Sequence, residues 1–217
     1  GLTECAPIAA LNRDRYFKDD SAGLSPPDGK LEIYNPGPDG TGEIRYKGPN
    51  IMLGYFNAPE MTAEVIRDGW FYTGDLGFID KEGFLHITGR KKNVIVTANG
   101  KNVFPEELET YLARNPFVKE SVIVGIMNER KRDYDIVAVI VPDEEKFTEE
   151  YGPGYTKQQV KAKLEAAVEQ VNQIVPAYKR MTVTIVRKEE FVKNTSKKIR
   201  RFGIIESVMD EYKKIAF

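Results

Sequence analysis

The feature that most constrains this chain is a change of pattern near Arg90. From Gly23 to about Gly89, Gly and Pro are dense, and short β-rich runs lie between them: Lys30 to Tyr34, Gly42 to Tyr46, Trp70 to Tyr72, Gly77 to Ile79 and Phe84 to Ile87. Short strands at that spacing predict a small barrel or folded sheet, with Asp80-Lys-Glu-Gly83 as a hairpin turn between the last two. One helix interrupts them at Pro59 to Arg67, where Met61 and Val65 lie four apart on one face and Glu60 and Glu64 take the polar side. Beyond Arg90, helices and strands alternate. A chain of 217 residues has room for two small domains, and the break divides them at 1–89 and 90–217.

In the second half, Asn93 to Thr97 is rich in β-branched residues. Pro105 to Arg114 predicts a helix, with Pro in its first turn, Glu106 and Glu107 where the helix dipole favours acids, and Asn115-Pro116 as its stop. Val118 to Met127 and Ile136 to Val141 read as strands, and the short charged turn at 128–135 favours antiparallel pairing. Residues 143–156, acidic and then Gly-Pro-Gly, read as a surface loop. Val160, Leu164, Ala167, Val168 and Val171 give Gln158 to Ile174 the period of an amphipathic helix. Met181 to Arg187 is a third strand, Phe191 to Lys198 has no clear period, and Ile199 to Lys214 is a last helix. The fold class is therefore α+β: a small β-barrel-like subdomain followed by a compact α+β domain of about three antiparallel strands with covering helices.

Composition narrows the function. With 32 Lys plus Arg against 33 Asp plus Glu, there is no global attraction to nucleic acid or anionic lipid, so any such contact has to be local. A single cysteine, Cys5, leaves no intrachain disulfide, and one histidine leaves no Cys/His zinc site. A reducing, cytoplasmic setting is the simplest expectation. No stretch approaches the ~20 consecutive apolar residues of a membrane helix. The opening residues carry neither Met nor a targeting pattern, and the chain is expected to be a fragment.

None of the general catalytic patterns occurs: no Gly-x-Ser-x-Gly, no Gly-x-Gly-x-x-Gly, no Walker loop, no His-rich metal pair. Three segments nonetheless carry polar groups beyond what a fold needs. In Trp70-Phe-Tyr-Thr-Gly-Asp75 a carboxylate after glycine could accept from two ribose hydroxyls, although Thr-Gly-Asp alone is more often an ordinary turn. Gly89-Arg-Lys-Lys-Asn93 would suit a polyphosphate or a solvated linker. Lys193-Asn-Thr-Ser-Lys-Lys-Ile-Arg-Arg201 is the strongest basic patch and fits a phosphate site or a nucleic-acid surface; only Phe191 and Phe202 are near enough to stack bases. Cys5 is a poor nucleophile, since His86 is the sole imidazole and lies in a strand pattern.

In order, the segments carry more. Gly1-Leu-Thr-Glu-Cys-Ala-Pro7, Gly42-Glu-Ile-Arg45, Pro49-Asn-Ile-Met-Leu-Gly-Tyr55, Asp68-Gly-Trp-Phe-Tyr-Thr-Gly-Asp-Leu-Gly77, Gly89-Arg-Lys-Lys-Asn-Val-Ile-Val96, Pro105-Glu-Glu-Leu-Glu109 and Thr195-Ser-Lys-Lys-Ile-Arg-Arg201 together resemble the adenylate-forming (AMP-binding) superfamily. Its members include acyl-CoA synthetases, peptide-synthetase adenylation domains and firefly luciferase. Asn99-Gly-Lys-Asn-Val-Phe-Pro-Glu-Glu-Leu-Glu109 is most similar to the C-terminal part of a long-chain fatty acid CoA ligase.

The resemblance implies a two-step ligase reaction: a fatty acid and ATP give acyl-AMP and pyrophosphate, and the thiol of coenzyme A then displaces AMP. It implies that Thr3 bonds the α-phosphate, Glu4 holds Mg2+, Asp75 and Arg90 grip the ribose with Tyr72 in the same cofactor-binding set, and Lys198 is the catalytic lysine. Lys92 would be the hinge for domain rotation, and Gly100 would approach the pantetheine arm. Relatives mostly have glycine where this chain has Lys197, which leaves Lys197 and Lys198 as candidates for the active amine; Ile199 and Arg201 follow Lys198 at the family's spacing. Many relatives have Asp at position 92. The family's phosphate loop and acyl pocket would precede residue 1, so residues 1–89 would end an N-terminal domain, 90–217 would form the mobile C-terminal domain, and the fragment alone would be inactive. Transfer to an acyl or peptidyl carrier protein, or a nonenzymatic RNA or anionic-lipid module using 193–201, are the alternatives. Peripheral membrane contact is compatible with a long-chain acid, yet no anchor is encoded.

Overall fold

Alternating side chains build the first of two units, Gly1–Asn93. Strands β1 (Lys30–Tyr34), β2 (Gly42–Lys47), β3 (Ile66–Arg67), β4 (Trp70–Ile79) and β5 (Leu85–Arg90) form one antiparallel sheet. Its order is β1-β2-β4-β3, with β5 on the other end of β4. Tyr46 and Phe71 meet Cys5 and Ala9 in its core, with Leu31, Ile51, Met52 and Val65 packed around them. The computed structural model describes residues 1–216.

Two sequence expectations change here. The runs at 70–72 and 77–79 are one continuous strand, so Thr73-Gly-Asp75 is not a turn. Gly74 has φ +70°, and register breaks flank it on both neighbours, between Glu43 and Arg45 and between Leu76 and Gly77; these irregularities bend the strand where a turn was expected. A Cβ at Gly74 would meet nothing within 4 Å, so the backbone angle, not space, calls for glycine. Helix α1 (Pro59–Val65) stops before Arg67 and buries no residue fully. Met61 is exposed, and at Ile66 the backbone turns extended to pair with Phe71.

The second unit, from Val94 onward, begins with a small hairpin, β6 (Ile95–Val96) and β7 (Asn102–Val103), and helix α2 (Pro105–Leu112). There follow β8 (Val118–Asn128), β9 (Asp133–Pro142), α3 (Glu144–Tyr151), α4 (Lys157–Ile174), β10 (Val183–Val186) and α5 (Ile204–Ala216). β9 is central in the order β10-β9-β8. Its Ile136, Ala138 and Ile140 pack with Leu108, Leu112, Phe147 and Leu164 on one face. Val137, Val139 and Val141 join Ile185, Ile204, Val208 and Tyr212 on the other. A strand covered on both faces carries an unbroken apolar run instead of alternation.

The α+β class stands, with corrections of detail. β8 and β9 are antiparallel, but β10 runs parallel to β9, since a helical crossover returns the chain to the end where β9 began. The acidic stretch at 143–156 contains α3: Asp143 caps it by accepting from the Lys146 N–H at 3.1 Å, and Phe147 is fully buried, so the acids are a helix's wet face. The last helix begins at Ile204, not Ile199, because the preceding residues form a hairpin closed by a Lys193–Ile199 bridge. No helix among the described residues is long and apolar enough to cross a bilayer.

Candidate functional site

In the first unit the bent part of β4 sets Asp75 opposite Arg90 of β5. Arg90 Nε lies 2.7 Å from Asp75 Oδ1, the carboxylate mostly covered and the guanidinium half-open to solvent. The bend is pinned by Thr73, whose hydroxyl donates to the Ile44 carbonyl at 2.7 Å and accepts from the Asp75 N–H at 3.1 Å. Lys91, the next residue along, pairs with Glu43 at 2.8 Å. Lys91–Asn93 make one 3-10 turn, and Lys92 within it is exposed, next to the boundary after Asn93.

Thr3–Cys5 form another 3-10 turn. Thr3 is exposed; Glu4 is half-buried and accepts from the Tyr55 hydroxyl at 2.9 Å. This aims the carboxylate, and Tyr55 is a partner that sequence spacing did not reveal, although it ends a quoted segment. Burial, and then the charge of Glu4, push the Cys5 thiol up to about 11, which removes it as a nucleophile at neutral pH. His86 is structural: its ring nitrogens lie 3.1 Å from Asp80 and from the Asp20 carbonyl, and the ring stacks on Phe78. Tyr72 is held by neighbours on the sheet. Its hydroxyl accepts from Arg45 at 3.0 Å, Arg67 lies 3.8 Å from its ring centre, and Tyr34 meets it edge-on. A buried tyrosine so enclosed supports the sheet face, and its assignment to nucleotide binding gains nothing from this geometry.

In the second unit the basic patch divides into anchors and free cations. Lys193 pairs with Glu120 and Glu190. Arg201 binds both carboxylate oxygens of Glu109 at 2.5 Å and the Ile123 carbonyl at 3.0 Å. Between these anchors Asn194 organises the hairpin: its side-chain oxygen accepts from the N–H groups of Ser196 (3.0 Å) and Lys198 (2.9 Å), and its backbone pairs with Lys198 and Lys197. Lys197, Lys198 and Arg200 are exposed, and among the described residues their side chains have no hydrogen-bond or ion-pair partner. A patch with only three unpaired heads is a poorer polyanion surface than the sequence count suggested. It is instead a hydrogen-bonded hairpin that presents three cations.

Lys197 has φ +60°, the left-handed region where glycine is at ease. The residue that departs from the resemblance thus occupies a glycine-like backbone position, and the next position carries Lys198. Gly100 sits in the tight Thr97–Lys101 turn with φ +69° and nothing within 4 Å of an added Cβ. No group of three or more His, Cys, Asp or Glu that could hold a metal occurs among the described residues. A lone oriented carboxylate such as Glu4 suits Mg2+, which takes one or two protein carboxylates and completes its shell with phosphates and water.

The AMP-binding enzyme C-terminal domain family matches residues 92–214, more than half of the chain, and the chain belongs to that family. Among curated relatives it is 42% identical over 149 residues to an indoleacetate–CoA ligase of Aromatoleum aromaticum, covering 65% of this chain and 29% of that protein. It is 42% identical over 132 residues to a long-chain-fatty-acid–CoA ligase of Escherichia coli, covering 58% of this chain and 23% of the relative. Among solved structures, o-succinylbenzoate CoA synthetase from Bacillus subtilis, in complex with its acyl-adenylate intermediate, superposes with a TM-score of 0.74 at 26% identity, covering 92% of this chain and 38% of the other. The chain spans well under half the length of each.

Proposed function

We propose that this chain is part of an ATP-dependent acid–thiol ligase that activates a carboxylic acid as acyl-AMP and transfers the acyl group to coenzyme A. The observation that carries the reading is the Lys193–Arg201 hairpin, anchored at both ends and presenting Lys198 unpaired to solvent. A cation held in place by backbone, with no carboxylate of its own, is what stabilisation of phosphate charge requires. In the first step a carboxylate oxygen attacks the α-phosphorus and pyrophosphate leaves. Lys198 neutralises charge on the α-phosphate and orients the acid, and Thr3 donates a hydrogen bond to the same phosphate. Asp75 accepts from the ribose hydroxyls while Arg90 holds it and donates beside it. Mg2+, when bound, screens the phosphate charge, with Glu4 as its protein ligand.

In the second step the thiol sulfur of coenzyme A attacks the acyl carbonyl and AMP leaves. Residues 1–89 act as the end of a larger nucleotide-binding domain and 90–217 as a mobile C-terminal domain. Lys92 is the hinge, and the Gly100 turn approaches the pantetheine arm. A long-chain fatty acid is the proposed substrate, supported by the similarity to the long-chain-fatty-acid–CoA ligase of Escherichia coli; indoleacetate, the acid named for the Aromatoleum aromaticum relative, is the second reading. A cytoplasmic enzyme meeting its substrate at a membrane surface is consistent with it.

The test is acid-dependent ATP–pyrophosphate exchange by the full-length protein across a fatty-acid chain-length series, with indoleacetate alongside and Lys198→Ala in parallel. The expected result is exchange peaking with one chain length and falling about 10²–10³-fold in the variant, the size of a lost charge-stabilising contact. Exchange with indoleacetate alone would move the substrate to aryl acids, and discharge of the adenylate only by a phosphopantetheinyl protein would replace coenzyme A as acceptor.

A further inference from the structure

We infer that Lys197 is a second nucleotide-contacting cation that works beside Lys198, an inference that rests on the ligase reading above. Three observations meet at this residue. Its backbone is left-handed, φ +60°, an angle that costs any residue with a Cβ more than it costs glycine. The same region is occupied by short polar side chains at Asp20, Asn35, Asn57 and Asp68, which bond locally and tolerate it best, and also by Ala6 and Arg132. A lysine has no such relief.

Its side chain also does nothing for the fold. It is exposed and, among the described residues, makes no hydrogen bond or ion pair. Of the other cations in the segment, Lys193 and Arg201 are tied to glutamates, whereas Lys198 and Arg200 are unpaired like Lys197 among the described residues.

Finally, Lys197 and Lys198 are adjacent cations with no carboxylate paired to either, held on a loop whose shape Asn194 fixes. Two neighbouring cations with no paired carboxylate favour an anion that carries several negative charges over a monovalent one. A monovalent carboxylate does not call for a second cation, whereas a triphosphate or pyrophosphate does. The ligand class is therefore a polyphosphate: Lys198 takes the α-phosphate, and Lys197 takes oxygens of the β- and γ-phosphates that leave as pyrophosphate. Lys197 breaks and forms no bond; it binds charge before the step and holds it on the leaving group during it.

The test compares Lys197→Gly, Lys197→Asn and Lys197→Arg in the full-length protein. Glycine and asparagine suit the backbone better than lysine does, so neither is expected to lower the melting temperature. The expected result is that both raise KM for ATP by about tenfold and weaken inhibition by pyrophosphate by a similar factor, the size of one lost charged contact, while Lys197→Arg stays within about twofold. Exchange that is robust in the wild type and unchanged in ATP KM and pyrophosphate inhibition for Lys197→Gly overturns the inference and leaves the ligase reading intact. If no acid supports exchange, that reading falls, and calorimetric titration of the same proteins with inorganic tripolyphosphate decides the inference: a tenfold loss in Lys197→Gly sustains it, equal affinities end it.

Discussion

At the scale of single residues, some buried polar contacts hold the fold and others belong to the segments proposed for nucleotide binding. Asp135 belongs to the first kind. Burial disfavours its charge, but Asn128 at 2.7 Å, Lys131 at 2.6 Å and Tyr212 at 2.8 Å outweigh that and hold its carboxyl below the usual range. The Tyr212 phenol is pushed up to about 12, first by burial and then by the Asp135 carboxylate. Its folded value thus exceeds its unfolded value, ~10. The stability it contributes is complete below that pH and is lost as pH rises toward 12. Tyr212→Phe is expected to cost about 1–2 kcal/mol at neutral pH by leaving one Asp135 contact unmade. The same variant should lose that part of the alkaline decline, which urea melts from pH 8 to pH 11 would read. A decline identical to the wild type would remove Tyr212 as its source. The β8–β9 hairpin brings Asn128 to Asp135, but the Tyr212 contact was not legible in the sequence, because it forms only when α5 lies on the sheet.

At the scale of elements, a mostly buried ion pair joins α2 to the basic hairpin. Glu109 accepts from the Ile123 N–H of β8 at 2.7 Å and, through both of its oxygens, from Nη2 of Arg201, so one carboxylate ties a helix, a strand and a loop. Both side chains of the pair are less than a quarter exposed. Arg201→Met should destabilise the second unit by about 2–3 kcal/mol, somewhat below the cost of breaking a fully buried pair because some water reaches this one. Denaturant melts check the stability, and adenylation should fall more than the melts alone explain, since the hairpin that carries Lys198 loses its anchor. Equal losses in stability and activity would mean that the anchor serves the fold only. The sequence displayed both residues inside recognisable segments 92 positions apart, but nothing local says that a glutamate on a helix will meet an arginine after a strand.

At the scale of the whole molecule, the division into two units after Asn93 sits beside the residue proposed as a hinge. Lys92→Pro fixes one backbone angle there. In the full-length protein it is expected to leave acyl-AMP formation within about threefold and to slow transfer to coenzyme A by about 10²-fold, because the second step depends on reorienting one unit and small misplacements carry such costs. Single-turnover measurement of each half-reaction separates the two. Loss of both together would argue for local damage instead of a blocked rotation.

What the sequence determined by itself was whatever depends on neighbours along the chain. The amphipathic period of α4, the proline start of α2 and the β-branched strands are local patterns, and the structure contains each within a few residues. The ordered segments also carried the family, because the types of side chain a nucleotide site uses are visible one by one. Tertiary structure decided the rest. It made 70–79 one bent strand, because pairing with β2, β3 and β5 supplies hydrogen bonds that override the turn preference of Gly and Asp. It made the acidic stretch a helix, because a single buried Phe147 gave that helix something to pack on. It set β10 parallel, a consequence of the crossover and not of the strand's own residues. And it sorted one run of cations into anchors and free heads, since whether a lysine is paired depends on carboxylates that only folding brings near.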